Sequence, residues 1–177
     1  MALTRLKNIG RIAMTVAMAG LFTVAGTAEG RADDPDYLSI GVGAFDWNRQ
    51  KDEGAEFRLE YRSDEKFWEL KPFVALAGSS SGHYFAGAGV LMDVYFGRRI
   101  VLTPSFAPHL YTGGGDKLDL DYPVEFRSQL EIAYRFDDRS RFGLAISHYS
   151  NASLSDTNPG TESAMLYYSI PFSNIFD

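Results

Sequence analysis

From Tyr37 onward, hydrophobic and polar residues alternate with a period of two. Phe57, Leu59 and Tyr61 interleave with Glu56, Arg58, Glu60 and Arg62. Further on, Val124, Phe126, Leu130, Ile132, Tyr134 and Phe136 interleave with Glu125, Arg127, Gln129, Glu131 and Arg135. No stretch after the first thirty residues keeps a helical period, and turn residues punctuate the alternation, which predicts an all-β domain built from hairpins. Eight strands can be placed, near Tyr37 to Trp47, Ala55 to Arg62, Phe67 to Gly78, His83 to Phe96, Ile100 to Tyr111, Val124 to Phe136, Arg141 to Asn151, and Glu162 to Phe172. Most run to about nine to twelve residues, the length of a tilted transmembrane strand rather than the ~5 to 6 of a soluble sheet.

Alternation alone does not say which face points inward, because a soluble barrel around an apolar ligand shows the same period. Three features favour a membrane barrel with the polar face inside. Glu and Arg share that face with little Lys, which suits an internal ion network better than a solvated exterior. The small residues Gly41, Gly43, Ala75, Ala77, Gly143 and Ala145 lie on it too, as a narrow eight-stranded lumen requires. Aromatic residues make up 14% of the chain, and many sit on the apolar face near strand ends, as interfacial girdles do. The predicted fold is an eight-stranded antiparallel transmembrane β-barrel. Pro72, Pro104, Pro108 and Pro171 fall inside the predicted strands, where a missing N–H predicts bulges or early strand ends.

The N-terminus stands apart. Arg5, Lys7 and Arg11 precede an apolar run from Ile12 to Ala25, then small residues suited to cleavage after Ala28 or Ala32. Residues 1 to 32 therefore read as a secretory signal peptide, the apolar run being shorter than the ~20 residues of a spanning helix. Its removal takes away Arg5, Lys7, Arg11 and Arg31 with Glu29. That leaves 13 basic against 22 acidic residues over 33 to 177 and argues against a nucleic-acid partner. With no cysteine, disulfides and thiolate chemistry are excluded. His83, His109 and His148 lie on three separate segments without metal-ligand spacing, so neither a metal nor a cofactor is expected. His83 reads as a loop-edge residue, and His109 falls on the polar face.

Loop lengths orient the barrel. Connections after the second, fourth and sixth strands are short, whereas Thr112 to Pro123 is long, and outer-membrane barrels keep short turns on the periplasmic side. With the N-terminus periplasmic, the loop from Ala152 to Thr161 is external, and the hairpin 141–172 brings its most polar stretch to the outer rim. There His148 and Ser150 continue the apolar face of Phe142, Leu144 and Ile146, and Glu162 begins that of Ala164, Leu166, Tyr168 and Ile170. On one strand face, residues i and i+2 have Cα atoms roughly 6.5 to 7 Å apart, within reach of an imidazole and a hydroxyl. A carboxylate on the neighbouring strand can hold the far ring nitrogen. Ser150 as nucleophile, His148 as base and Glu162 as orienter would form an ester-hydrolysing triad, whose activity should rise with pH as the imidazole loses its proton. Simpler readings remain for each residue: His148 as a polar girdle residue, Ser150 as a strand-end hydroxyl, Glu162 as a solvated carboxylate.

The segments His148-Tyr149-Ser150-Asn151 and Asn158-Pro159-Gly160-Thr161-Glu162 resemble the signature of the lipid A 3-O-deacylase (PagL) family, most strongly from about Phe126 to Phe172. The resemblance implies an outer-membrane serine esterase that removes the 3-hydroxyacyl chain at position 3 of lipid A, with lipopolysaccharide of the outer leaflet as substrate. It also implies that Asn158 stabilises the oxyanion, a role that calls for a donor about 3 Å from the developing charge. The chain ends Ile175-Phe176-Asp177, departing from the terminal aromatic usual in outer-membrane proteins. A non-catalytic outer-membrane barrel acting in adhesion or structure is the alternative, and a soluble periplasmic lipid carrier is a third. The sequence leaves open whether the barrel forms a homodimer.

Overall fold

The computed structural model describes residues 34–176; the predicted leader and its cleavage after Ala28 or Ala32 lie outside the described residues. The strands are β1 (Tyr37–Phe45), β2 (Gly54–Arg62), β3 (Lys71–Ser79), β4 (His83–Leu91), β5 (Val94–Phe96), β6 (Ile100–Gly113), β7 (Val124–Arg135), β8 (Arg141–Ser150) and β9 (Thr161–Pro171). A single helical turn, α1 (Ser173–Phe176), follows. Every neighbouring pair is antiparallel. β1 joins both β2 and β9, and β4 and β5 both pair with β6, so the sheet closes on itself. With β4 and β5 counted as two segments of one strand, this is a closed eight-stranded barrel, which leaves no unpaired sheet edge.

The break in the fourth strand has a local cause. Met92 N donates to the Pro104 carbonyl at 3.1 Å, so the backbone of Pro104 faces this seam, where its own N–H is missing. Pro108, of the same parity, presents the same gap. The pairing skips the residues opposite both prolines yet keeps one register, from His83↔Gly113 through Val90↔Phe106 to Val94↔Leu102. Of the expected bulges and early ends, this seam shows the early end, at Leu91, and no bulge: the prolines delete hydrogen bonds and interrupt the strand without shifting its register. The third strand begins at Lys71 rather than Phe67, because Phe67 folds back to bridge Leu70 in a tight turn.

Burial settles which face is inside. Phe57 is 62% exposed and Leu144 and Ile146 are each 58% exposed, whereas Arg127 and Glu56 are fully buried. An aqueous exterior would reverse this, so the apolar belt is matched to hydrocarbon. Inside, arginines pair with glutamates. Arg58 meets Glu56 at 2.5 Å, Arg62 bridges Glu60 and Glu131 at 2.9 and 2.8 Å, and Arg127 meets Glu60 at 2.7 Å. A second cluster, nearer the end that carries the short turns, joins Lys71 and Arg141 to Asp34 and Asp93. The expected small residues line the lumen, and a Cβ on Gly41 would lie 2.8 Å from the Tyr167 ring, so that glycine makes room for an inward tyrosine.

At the other end, the β6–β7 loop turns into the barrel. Leu118 and Leu120 are buried against Phe45, Phe85, Tyr111 and Tyr149, forming an apolar plug over the ionic interior. Sequence alternation carries no sign of this, since the two leucines belong to a loop.

Candidate active site

β8 and β9 form the hairpin that the sequence singled out, and register fixes what meets across it. His148 stands directly opposite Glu162, and its Nδ1 lies 3.1 Å from the carboxylate Oε1. Both point outward and are shielded without being closed off, their side chains 28% and 20% exposed. A carboxylate at Nδ1 favours the tautomer with the proton on that nitrogen, which leaves Nε2 as the basic atom. Ser150 lies two residues further along the same outward face, opposite Phe126 of β7. The structure thus brings His148 and Glu162 together and places Ser150 beside them.

Between the two outward groups, Tyr149 points the other way. Its fully buried ring stacks on Phe85, with centroids 4.3 Å apart, and meets His109 edge-on at 5.5 Å. The strand end that carries His148 and Ser150 is therefore pinned from inside by the plug. His109 lies on the inner face, as its parity predicts, with Nδ1 donating to the Ala107 carbonyl at 3.1 Å. His83 departs from the loop-edge reading: it is fully buried, held by the Tyr111 hydroxyl at 3.0 Å and by Asp52 at 3.1 Å.

Asn158 sits in the β8–β9 loop, where its Oδ1 accepts from Asn151 N at 3.1 Å. With that oxygen spent, the remaining end of the amide is its Nδ2 donor. Asn151 anchors the loop from below, donating through Nδ2 to the carbonyls of Thr157 at 2.8 Å and Leu120 at 3.2 Å. Thr157 and Ser155 donate their hydroxyls to Asp121, which holds its carboxyl below the usual carboxylate range and ties this loop to the β6–β7 loop. Gly160 has φ +59, and a Cβ there would lie 3.0 Å from the Tyr149 carbonyl and 3.1 Å from His148 Cε1. The glycine therefore allows both the left-handed backbone and the close approach to the imidazole.

One residue at the site escaped sequence reasoning. Arg49, from the β1–β2 loop, sets Nε 3.1 Å from Glu162 Oε2 and Nη2 3.2 Å from Oε1, and its Nη1 donates to the Pro159 carbonyl. No alternation or spacing marks it, and 113 residues separate it from Glu162.

Chemically, the arrangement offers an oriented imidazole, an adjacent hydroxyl, and an amide donor in the loop above, all on a wall that faces lipid. Comparison with known proteins agrees with that setting. The family described as Lipid A 3-O-deacylase (PagL) matches residues 36–171. A search of curated proteins finds no match. Among solved structures, the crystal structure of the outer membrane enzyme PagL is similar, with 21% identity, a TM-score of 0.61, and coverage of 76% of this chain and 99% of that one. Neisserial surface protein A is similar at 9% identity and a TM-score of 0.58, covering 77% of this chain and 96% of that one. A de novo designed transmembrane β-barrel is similar at 12% identity and a TM-score of 0.52, with the same two coverages.

Proposed function

Since the chain belongs to the lipid A 3-O-deacylase (PagL) family and is an outer-membrane β-barrel, we propose that it cleaves the ester of the 3-hydroxyacyl chain at position 3 of lipid A through Ser150, His148 and Glu162. The observation that carries this reading is the pairing of His148 with Glu162 on the outward wall, 3.1 Å apart and two residues from a serine. A carboxylate–imidazole pair on a hydrocarbon-facing surface is unfavourable unless it serves a function.

The chemistry runs as acyl transfer. His148 Nε2 takes the proton of Ser150 Oγ as that oxygen attacks the ester carbonyl. Asn158 Nδ2 donates to the developing oxyanion. Collapse breaks the ester C–O bond, and His148 returns the proton to the departing sugar hydroxyl. Water, deprotonated by the same imidazole, then attacks the acyl-enzyme, releasing a 3-hydroxy fatty acid and restoring Ser150. Glu162 keeps the ring oriented and stabilises the imidazolium formed in each half-reaction. Acyl chains reach the site by sliding along the apolar wall of Leu144 and Ile146, without leaving the leaflet.

The test is Ser150→Ala. It should keep the heat-modifiable electrophoretic mobility of a folded barrel while losing release of 3-hydroxy fatty acid from lipid A, followed by mass spectrometry. Unchanged release from the folded variant would eliminate the serine mechanism.

A further inference from the structure

We propose that Arg49 is a positioning residue of this site, holding the Glu162 carboxylate and the Asn158 turn in one geometry and offsetting the carboxylate's charge at His148; this rests on the Ser150–His148–Glu162 reading above. Three of its contacts converge. Its Nε and Nη2 form a fork on the two oxygens of Glu162, and Nη1 reaches the carbonyl of Pro159, the residue after Asn158. A planar guanidinium engaged on two sides has little freedom left, so the carboxylate and the turn are registered against each other.

The loop that delivers Arg49 is itself built for the purpose. Asp46 is fully buried, and its Oδ2 accepts from Lys51 N at 2.7 Å and Asp52 N at 2.8 Å, wrapping the chain into a turn with Arg49 on it. Its Oδ1 accepts from the Thr161 hydroxyl at 3.0 Å, one residue before Glu162. Both ends of the Arg49–Glu162 contact are thus fixed to the same buried carboxylate. An ordinary surface ion pair lacks such a frame and contributes little.

The consequence reaches the base. His148 faces Glu162 from β9, Arg49 from the β1–β2 loop behind that carboxylate, and the uncharged Ser128 and Phe126 of β7. Removing Arg49 leaves the negative charge of Glu162 less compensated, which stabilises the imidazolium, so a higher pH is needed to free the base. For charges roughly 6 Å apart at an effective dielectric between that of a protein surface and that of water, the acid limb of kcat should move up by about half to one pH unit.

The experiment measures kcat and KM against pH for the purified full chain on lipid A in detergent micelles. Arg49→Met should lower kcat by roughly tenfold, as expected for loosened orientation, with KM within twofold and the acid limb raised. Arg49→Lys should return the limb to its place while recovering only part of kcat, since an ammonium keeps the charge but not the fork. In a Glu162→Gln background, Arg49→Met should still raise the limb but lower kcat by less than it does in the unaltered chain, because the charged carboxylate that it positions is gone. Arg49→Gln, uncharged but able to donate to Pro159, is the second variant should Arg49→Met fail to fold, and it should show the raised limb. A limb that stays put in the folded uncharged variant, or a loss of kcat just as large in the Glu162→Gln background, overturns the proposal. Activity in Ser150→Ala would instead overturn the triad itself, and it is read without any change at Arg49.

Discussion

Replacing Glu162 by glutamine keeps the shape of the side chain and removes the charge that faces His148. Two unit charges ~4 Å apart interact by about 4 kcal/mol at an effective dielectric of 20 and by about 1 kcal/mol in water. The site lies between these limits, because the His148 and Glu162 side chains are 28% and 20% exposed and Arg49 shares the carboxylate. A loss near 2 kcal/mol corresponds to roughly 30-fold in rate. A second effect adds to this: the amide can present its NH₂ to Nδ1, which places the ring proton on Nε2 and blunts the base, a fault that costs ~10⁴ in a buried triad. For this half-open site kcat should fall by about 30- to 1000-fold. KM should stay within about twofold, because in the proposed role Glu162 orients the imidazole and does not bind the substrate. The assay is release of 3-hydroxy fatty acid from lipid A, with Ser150→Ala as the floor and heat-modifiable mobility as the folding control. A rate within threefold of the unaltered enzyme, or an effect confined to KM, would refute the role of Glu162 as orienter.

Two further outcomes are expected. Gly160→Ala should leave the barrel folded but lower kcat by about tenfold, since the left-handed backbone costs an alanine about 1–2 kcal/mol and its Cβ would lie 3.1 Å from His148 Cε1; full activity would show that the close approach does not matter. Asp121→Ala should open the β8–β9 loop, making the exposed Leu154 a site of nicking by pepsin at pH 5. Because the folded-state carboxyl of Asp121 is held below its usual value, the tie in the unaltered chain is complete above the ordinary aspartate range near ~3.9 and is lost as pH falls through the depressed value. Equal nicking of both chains at pH 5 would rule out the tie.

The faces of the strands were legible because parity is a local property. Once Glu56, Arg58 and Glu60 are set against Phe57 and Leu59, every later residue of that strand is assigned. The same parity placed His148, Ser150 and Glu162 outward, and the length of the 151–160 loop was enough to bring the first and last into register. What the sequence withheld depends on contacts between loops. Arg49 reaches Glu162 because Asp46 curls its loop, and no period marks either residue. Leu118 and Leu120 look like loop residues until the chain turns inward over Phe85 and Tyr149. The split fourth strand was hidden for another reason: Pro104 lies on one strand and its effect falls on the neighbour, so only the seam between β4 and β6 reveals which residue loses a partner.

The filled lumen bears on the membrane as much as on the protein. Arginine–glutamate pairs occupy the middle of the barrel, and Leu118 and Leu120 cap one end, so side chains stand where a water-filled pore would run. A barrel packed in this way should let a cell carry many copies while keeping its permeability barrier to small solutes, and traffic to the proposed site is confined to two dimensions. Encounter then depends on lateral diffusion and on surface density in the leaflet, so turnover should scale with the packing and fluidity of the surrounding lipid rather than with any bulk concentration.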